Sequence, residues 1–316
     1  MDKEKRIPII IDTDMAADDW MATLYLLQSP RADVHAITLA ATGEAHTRPG
    51  INTALRLLAL ADQVGIPVAA GRATPLQGNN TFPLSWRLAM DVRFFLRLPR
   101  TSQKRESVSA VDLLAQQLER ATEPMTIVAL GPLTNIGELL QARPNLKSKI
   151  ERIMIMGGAL NVRGNIEDVG SRIKNPHAEW NIFVDPHAAN LVFQSGVPIT
   201  LVPLDVTNNT PLTLAFLNKV VANAVTPAAT FVGRVLQRLK PMISRDEVFF
   251  WDPLTAVLTT HPELGGYESC GIEVVEGDEA VDGRTIVSER NPAVNVCKTV
   301  SQAAFEELFL DTLNGR

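Results

Sequence analysis

Short apolar runs alternate along this chain with stretches whose apolar residues recur at helical spacing. Ile7 to Ile11, Val34 to Leu39, Met125 to Ala129, Ile153 to Met156 and Ile199 to Val202 have the length and β-branching of buried strands. Between them, Asp18 to Gln28, Asn52 to Val64, Val111 to Arg120, Thr134 to Gln141 and Pro186 to Gln194 carry helical patterns. This βαβ order predicts an α/β fold: an open, mostly parallel sheet flanked by helices, with a Rossmann-type core. Gly71 to Ser107, rich in Gly, Pro and Asn, and Gly157 to Asn181 predict irregular excursions of the kind that often cover a site. Beyond a helix over Ala222 to Leu239 and another from Trp251 to Thr260, the runs Gly271 to Val275, Thr285 to Ser288 and Ala293 to Thr299 predict late antiparallel strands. A final helix is expected near Ala303 to Leu313.

Composition narrows the function. The chain has 316 residues, 46% hydrophobic and 21% charged, enough for a large core, and it shows no repeat or low-complexity linker. A net charge of −5 with scattered Lys and Arg argues against nucleic acid as a ligand. Two cysteines, Cys270 and Cys297, have no metal-type spacing and fit a reducing compartment. The residues before Asp12 are too few and too polar for a signal peptide, and no apolar run approaches the ~20 residues needed to cross a bilayer. A cytoplasmic protein without membrane contact is expected.

Candidate chemistry begins where the first strand turns into a helix. Asp12, Asp14, Asp18 and Asp19 fall within eight residues there, at the edge where open α/β sheets bind ligands. Two carboxylates 4 Å apart repel by roughly 4 kcal/mol at an effective dielectric of about 20, so a cation, a proton or helix N-terminal amides must compensate. Oxygen ligands select a hard ion, calcium or magnesium, although Asp18 and Asp19 could also simply cap the helix. Glu44, Asp205 and Asp252 stand at further strand or helix ends, and Leu130-Gly131 closes another strand.

In order along the chain, Asp12-Thr-Asp14 with Asp18-Asp19, Phe82-Pro-Leu-Ser-Trp86-Arg87, Gly131-Pro-Leu-Thr-Asn135, Met154-Ile-Met-Gly-Gly158, Arg163-Gly-Asn165, Ala178-Glu-Trp-Asn181 with Asp185-Pro186, Leu204-Asp-Val-Thr207 and Trp251-Asp-Pro253 form a set that resembles the inosine-uridine preferring nucleoside hydrolases, especially their purine-specific group. The resemblance implies calcium-dependent hydrolysis of the N-glycosidic bond of a small-molecule nucleoside. It implies that Asp14, Asp19, Asp252 and the Leu130 carbonyl hold Ca2+, and that Asp14 is the catalytic base. Asp18 and Asn181 would hold ribose hydroxyls, Asn165 and Glu179 the 5′-hydroxyl, and Asp12 would orient the loop from behind. Ligands running from residue 14 to residue 252 imply one domain over 1–316, and a homo-oligomer is expected.

The chain departs from that pattern in two places. The familiar Pro-Gly after the first Asp-X-Asp is Met15-Ala16 here, and Glu44 stands where many members have Asn; the purine-specific group is similar in placing an acid there, which implies Glu44 as a group that binds the ribose or supports those that do. Asn175 competes with Asn165 for the 5′ end, though Asn175-Pro176 also reads as a turn. His46 and His177 lie near Glu44 and Glu179 and are candidates for the pocket wall. Members that accept pyrimidines commonly carry His just before the late Asp. Trp251 occupies that place, so stacking by Trp251, Trp86 and Trp180 points to purines. Pyrimidine or broad specificity, an aspartyl-nucleophile phosphotransferase with Asp12 as nucleophile, and a catalytically silent nucleoside-binding protein are the alternatives.

Overall fold

In the computed structural model, described over residues 5–92, 97–167, 173–277 and 280–316, nine strands form one sheet in the order β3-β2-β1-β4-β5-β6-β9-β7-β8. The strands are β1 (Ile7–Thr13), β2 (Ala32–Leu39), β3 (Val68–Ala70), β4 (Met125–Ala129), β5 (Ile150–Met156), β6 (Ile199–Val202), β7 (Gly265–Val274), β8 (Thr285–Val287) and β9 (Ala293–Val300). The first six run parallel, so their carboxyl ends share one edge.

Alternation along the strands sorts the core. Ile9 and Ile11 face one hydrophobic cluster while Ile10, between them, faces the other, as a period of two requires. The first cluster takes in α1 (Ala17–Gln28), α2 (Thr47–Leu60), α10 (Pro227–Ile243), α11 (Trp251–Thr260) and α12 (Gln302–Leu313). The second takes in α4 (Ala110–Arg120), α5 (Thr134–Ala142) and α7 (Pro186–Phe193). Helices thus cover both faces, which is why the inner strands read as continuous apolar runs.

Four readings of the sequence need correction. Helix α2 begins at Thr47 and stops at Leu60, earlier at both ends than its apolar spacing suggested. The predicted helix over 222–239 is two helices, α9 (Leu214–Asn223) and α10, broken where Thr226 caps α10 and Pro227 supplies its first residue. Strand β9 pairs antiparallel with β7 but parallel with β6, joining the late strands to the main sheet. The excursion over 71–107 carries a short helix, α3 (Leu84–Asp91), none of whose residues is buried, so no apolar stripe announced it. Residues 93–96 of that excursion, 168–172 of the second and 1–4 at the start lie outside the described residues. Among the described residues no helix is long and apolar enough to cross a membrane.

Candidate active site

Strand β1 lies between β2 and β4, where the chain order reverses direction across the sheet. Ligands of open α/β sheets bind outside the carboxyl ends at such a point. The chain leaves β1 at Thr13 and enters α1 through Asp14, Met15 and Ala16. Met15 adopts the left-handed region with φ 60°. Its N–H donates to Thr13 Oγ1 (3.1 Å) and Asp19 Oδ1 (3.3 Å), and the Trp20 indole donates to its carbonyl (2.8 Å). The Asp19 carboxylate also accepts from the N–H groups of Asp14 and Ala16, both at 3.1 Å, and from the Thr13 hydroxyl. One side chain therefore gathers the orphan donors of the turn into α1. Proline, fixed near φ −65° and without an N–H, cannot take this conformation, so Met15 marks a real difference in loop backbone.

Three carboxylates converge beside this turn. Oxygens of Asp18, Asp19 and Asp252 all lie within 4.8 Å of one another, Asp252 arriving from the first turn of α11. Burial, reinforced by Asp14, pushes the Asp18 carboxyl up to about 7. Burial followed by repulsion from neighbouring acids raises Asp19 and Asp252 well above the usual carboxylate range. Such a donor set fits a hard divalent cation, whose charge removes the repulsion.

Asp14 adjoins this trio without being one of the three. Its Oδ2 accepts from the Glu44 N–H (2.9 Å) and its Oδ1 from the Ala16 N–H (3.3 Å). Burial raises its proton affinity, while these amides, Asp19 and the Arg87 guanidinium lower it. Space around it is minimal: a Cβ on Gly43 would lie 2.2 Å from Asp14 Cβ, and one on Gly131 would lie 2.8 Å from the same atom. The Glu44 carboxyl is raised well above its ordinary value by burial and by Asp14 and Asp18, which places its charge in the same group.

Behind them, Asp12 is fully buried; its Oδ1 accepts from Thr38 Oγ1 (2.6 Å) and Asn135 Nδ2 (2.7 Å), and its Oδ2 has no protein partner. Burial lifts its carboxyl to about 7 despite those bonds. The Asn181 amide donates to the carbonyls of Leu130 (3.3 Å) and Met156 (3.2 Å), tying the ends of β4 and β5 together. Glu179 caps α6 (Trp180–Val184), accepting from the N–H groups of Asn181 (2.9 Å), Ile182 (3.2 Å) and Gly158 (3.0 Å); burial still raises it to about 7. Asn165 Oδ1 accepts from the Trp180 N–H at 3.1 Å, next to Glu179. Asn175 is wholly buried and committed to its own turn, accepting from His177 and Ala178 and donating to Asp282.

The remaining candidates separate. Trp251, half-buried at the start of α11, packs against Met156, Ala159 and Leu204 at the sheet edge, with the Phe249 ring 5.7 Å away. Trp180 is only 4% exposed, stacked on Phe82 at 4.9 Å with Trp86 at 5.3 Å, so its ring is largely covered while Trp86 keeps a free side. Asp205 does not join the acids: its carboxylate accepts from the N–H groups of Leu160 (2.8 Å) and Asn161 (2.9 Å) and fixes that loop. His46 Nδ1 is bound to Asp91 Oδ2 at 2.7 Å, linking the start of α2 to α3. Arg87, quoted above only as part of a motif, reaches across from α3 to donate to the Ala41 carbonyl (3.1 Å), and its charge acts on Asp14 and Asp91. No spacing signal singled it out, because its role depends on α3 folding back over the sheet edge.

Residues 9–307 match the family model described as inosine-uridine preferring nucleoside hydrolase. The chain is 33% identical over 320 residues to the pyrimidine-specific ribonucleoside hydrolase RihA of Escherichia coli, covering 97% of this chain and 98% of that protein. Among solved structures it is similar to a plant nucleoside hydrolase, the PpNRh1 enzyme (28% identity, TM-score 0.83, covering 98% of this chain and 99% of the other). It is also similar to a purine-preferring ribonucleoside hydrolase from Gardnerella vaginalis (26% identity, TM-score 0.81, covering 98% of each).

Proposed function

Because the chain belongs to the inosine-uridine preferring nucleoside hydrolase family and is a nucleoside N-ribohydrolase, we propose that one domain carries out calcium-dependent hydrolysis of purine ribonucleosides, giving ribose and free base. Asp14, Asp19 and Asp252, with the Leu130 carbonyl, would hold the ion, whose charge neutralises the crowded carboxylates, acidifies water and orients hydroxyl oxygens. Asp18, sharing the trio, would accept from a ribose hydroxyl, and Asn181 from another. Asn165 and Glu179 would receive the 5′-hydroxyl. Glu179, whose carboxyl burial raises to about 7, would be partly ionised near neutral pH and would oppose a phosphate at the 5′ end, so nucleotides are disfavoured.

In the reaction, Asp14 takes a proton from the attacking water as its oxygen bonds to the anomeric carbon. The C–N bond breaks with its electron pair going to the base, and the positive charge that develops on the sugar ring lies among carboxylates. The Glu44 and Ala16 amides and Arg87 favour the ionised Asp14 that this step requires. Gly43 and Gly131 leave that carboxylate its position. Gly43→Ala is therefore expected to cost about 1 to 3 kcal/mol of stability and at least ~tenfold in kcat/KM, read by thermal melting and steady-state kinetics. Wild-type values of both would show that Asp14 is not held as described.

One observation carries the purine reading: the residue before Asp252 is Trp251, half-buried beside the acid cluster. An indole covers two fused rings better than one, and such stacking is worth roughly 0.5 to 1.5 kcal/mol beyond buried area. It also favours a purine protonated at N7, which leaves without a side-chain acid. Trp86, backed by Trp180, is the second aromatic wall. The pyrimidine-specific name of the Escherichia coli relative favours the other reading. A panel of inosine, adenosine, guanosine, uridine, cytidine and inosine monophosphate decides between them by kcat/KM. Purine nucleosides are expected to exceed the others, and Trp251→Ala to lower purine turnover more than tenfold, about 1.4 kcal/mol. Uridine equal to inosine would overturn the stacking account.

A further inference from the structure

A cavity of about 820 Å³ opens between α2 and the segment at 100–105, and among the described residues its lining includes Arg48, Arg56, Arg100, Lys104 and Arg105 but no acidic residue. We propose that it binds a small anion carrying two or more phosphate groups, such as a sugar bisphosphate. Arg48, Asn52 and Arg56 recur every four residues and so form one stripe along α2. The other three cations stand on the facing segment, which Gln103 pins by accepting the Gly65 N–H (2.9 Å) and donating to the Ile66 carbonyl (2.7 Å). Among the described residues, none of the five cations makes an ion pair.

Five like charges around one cavity repel one another, and the chain as a whole is acidic, with a net charge of −5. Here two facing walls gather five cations around one space. An anion with phosphates at both ends can engage the two walls together, and Arg matches phosphate geometry through paired N–H donors. The volume suits a small ligand, for which roughly 300 to 1,000 Å³ is usual. Among the described residues no aromatic side chain lines the cavity, and single-stranded nucleic acid sites pair their basic groove with stacking rings. The acid cluster shares no residue with it.

Calorimetric titration of the full, calcium-loaded chain with fructose 1,6-bisphosphate at about 100 mM salt tests this. One-to-one binding is expected, undisturbed by a saturating non-hydrolysable nucleoside analogue. R56E/R105E should weaken it at least tenfold, while K219E/R290E, the same charge change on exposed residues elsewhere, should leave it intact. Nucleosidase activity and the circular dichroism spectrum should be unchanged in both. If R56E/R105E misfolds, the neutral pair R48Q/K104Q should still weaken binding severalfold. No heat of binding, equal loss in the control, displacement by that nucleoside analogue, or tighter binding of a 12-nucleotide RNA would each overturn the proposal.

Discussion

Asp14→Asn should lower kcat by roughly 10²- to 10⁴-fold, the range lost when a positioned general base is removed. The amide is nearly isosteric, so the crowding by Gly43 and Gly131 is respected and the loop has no steric reason to move. What disappears is the capacity to take a proton and, in part, the negative charge beside the sugar. An amide can still place an oxygen toward the Glu44 N–H, which now anchors Asp14 Oδ2 at 2.9 Å. Binding of a non-hydrolysable nucleoside analogue should thus weaken much less than turnover falls. Steady-state kinetics alongside analogue titration separates the two effects. If kcat stays within a few-fold of wild type, the proton goes elsewhere, and Glu44, whose carboxyl belongs to the same charged group, is the next base to examine.

Metal removal should reverse the usual dependence of stability on pH. In the stripped chain burial lifts the Asp12 and Asp18 carboxyls to about 7, well above the ordinary carboxylate range. A folded pKa raised above the unfolded value means that the folded state holds protons the unfolded state has released. The contribution is fully present below about pH 4 and is lost as pH rises through 7. Chelated protein should accordingly melt at a higher temperature at pH 5.5 than at pH 8. Added calcium should matter most at pH 8, where the acids are ionised and repel. At a thousandfold excess over its dissociation constant a ligand adds about 4 kcal/mol, which for a chain of this size is on the order of 5 °C in Tm. Scanning calorimetry at the two pH values, with chelator and with calcium, reads both effects. A chelated protein more stable at pH 8, or indifferent to calcium there, would remove the ion from the acid cluster.

The central strands were legible because they are buried on both faces. Met125 to Ala129 and Ile199 to Val202 match β4 and β6 residue for residue. Asp18, Asp19 and Asp252 were legible as acids at element ends, and the structure brings these three together from positions more than 230 residues apart. Sequence pattern failed where tertiary contact replaces it. Helix α3 has no fully buried residue and so gave no core-facing stripe, and Arg87, which it delivers toward Asp14, stayed hidden with it. Asp205 looked equivalent to the other acids because a strand end says where a side chain starts and nothing about which amides will claim it. Thr226-Pro227 could have revealed the break between α9 and α10, since Thr then Pro is an ordinary way to begin a helix.

The turn at Met15 limits which single substitutions the loop can accept. A left-handed residue other than glycine costs roughly 1 to 2 kcal/mol, yet Met15 is 1% exposed and packed into the main core, and its N–H is shared by Thr13 and Asp19. Proline at this one position would forfeit that packing and both hydrogen bonds and demand a φ of opposite sign. As a lone substitution it is barred here: the loop would have to be rebuilt around it, which makes this turn a lock on its own sequence.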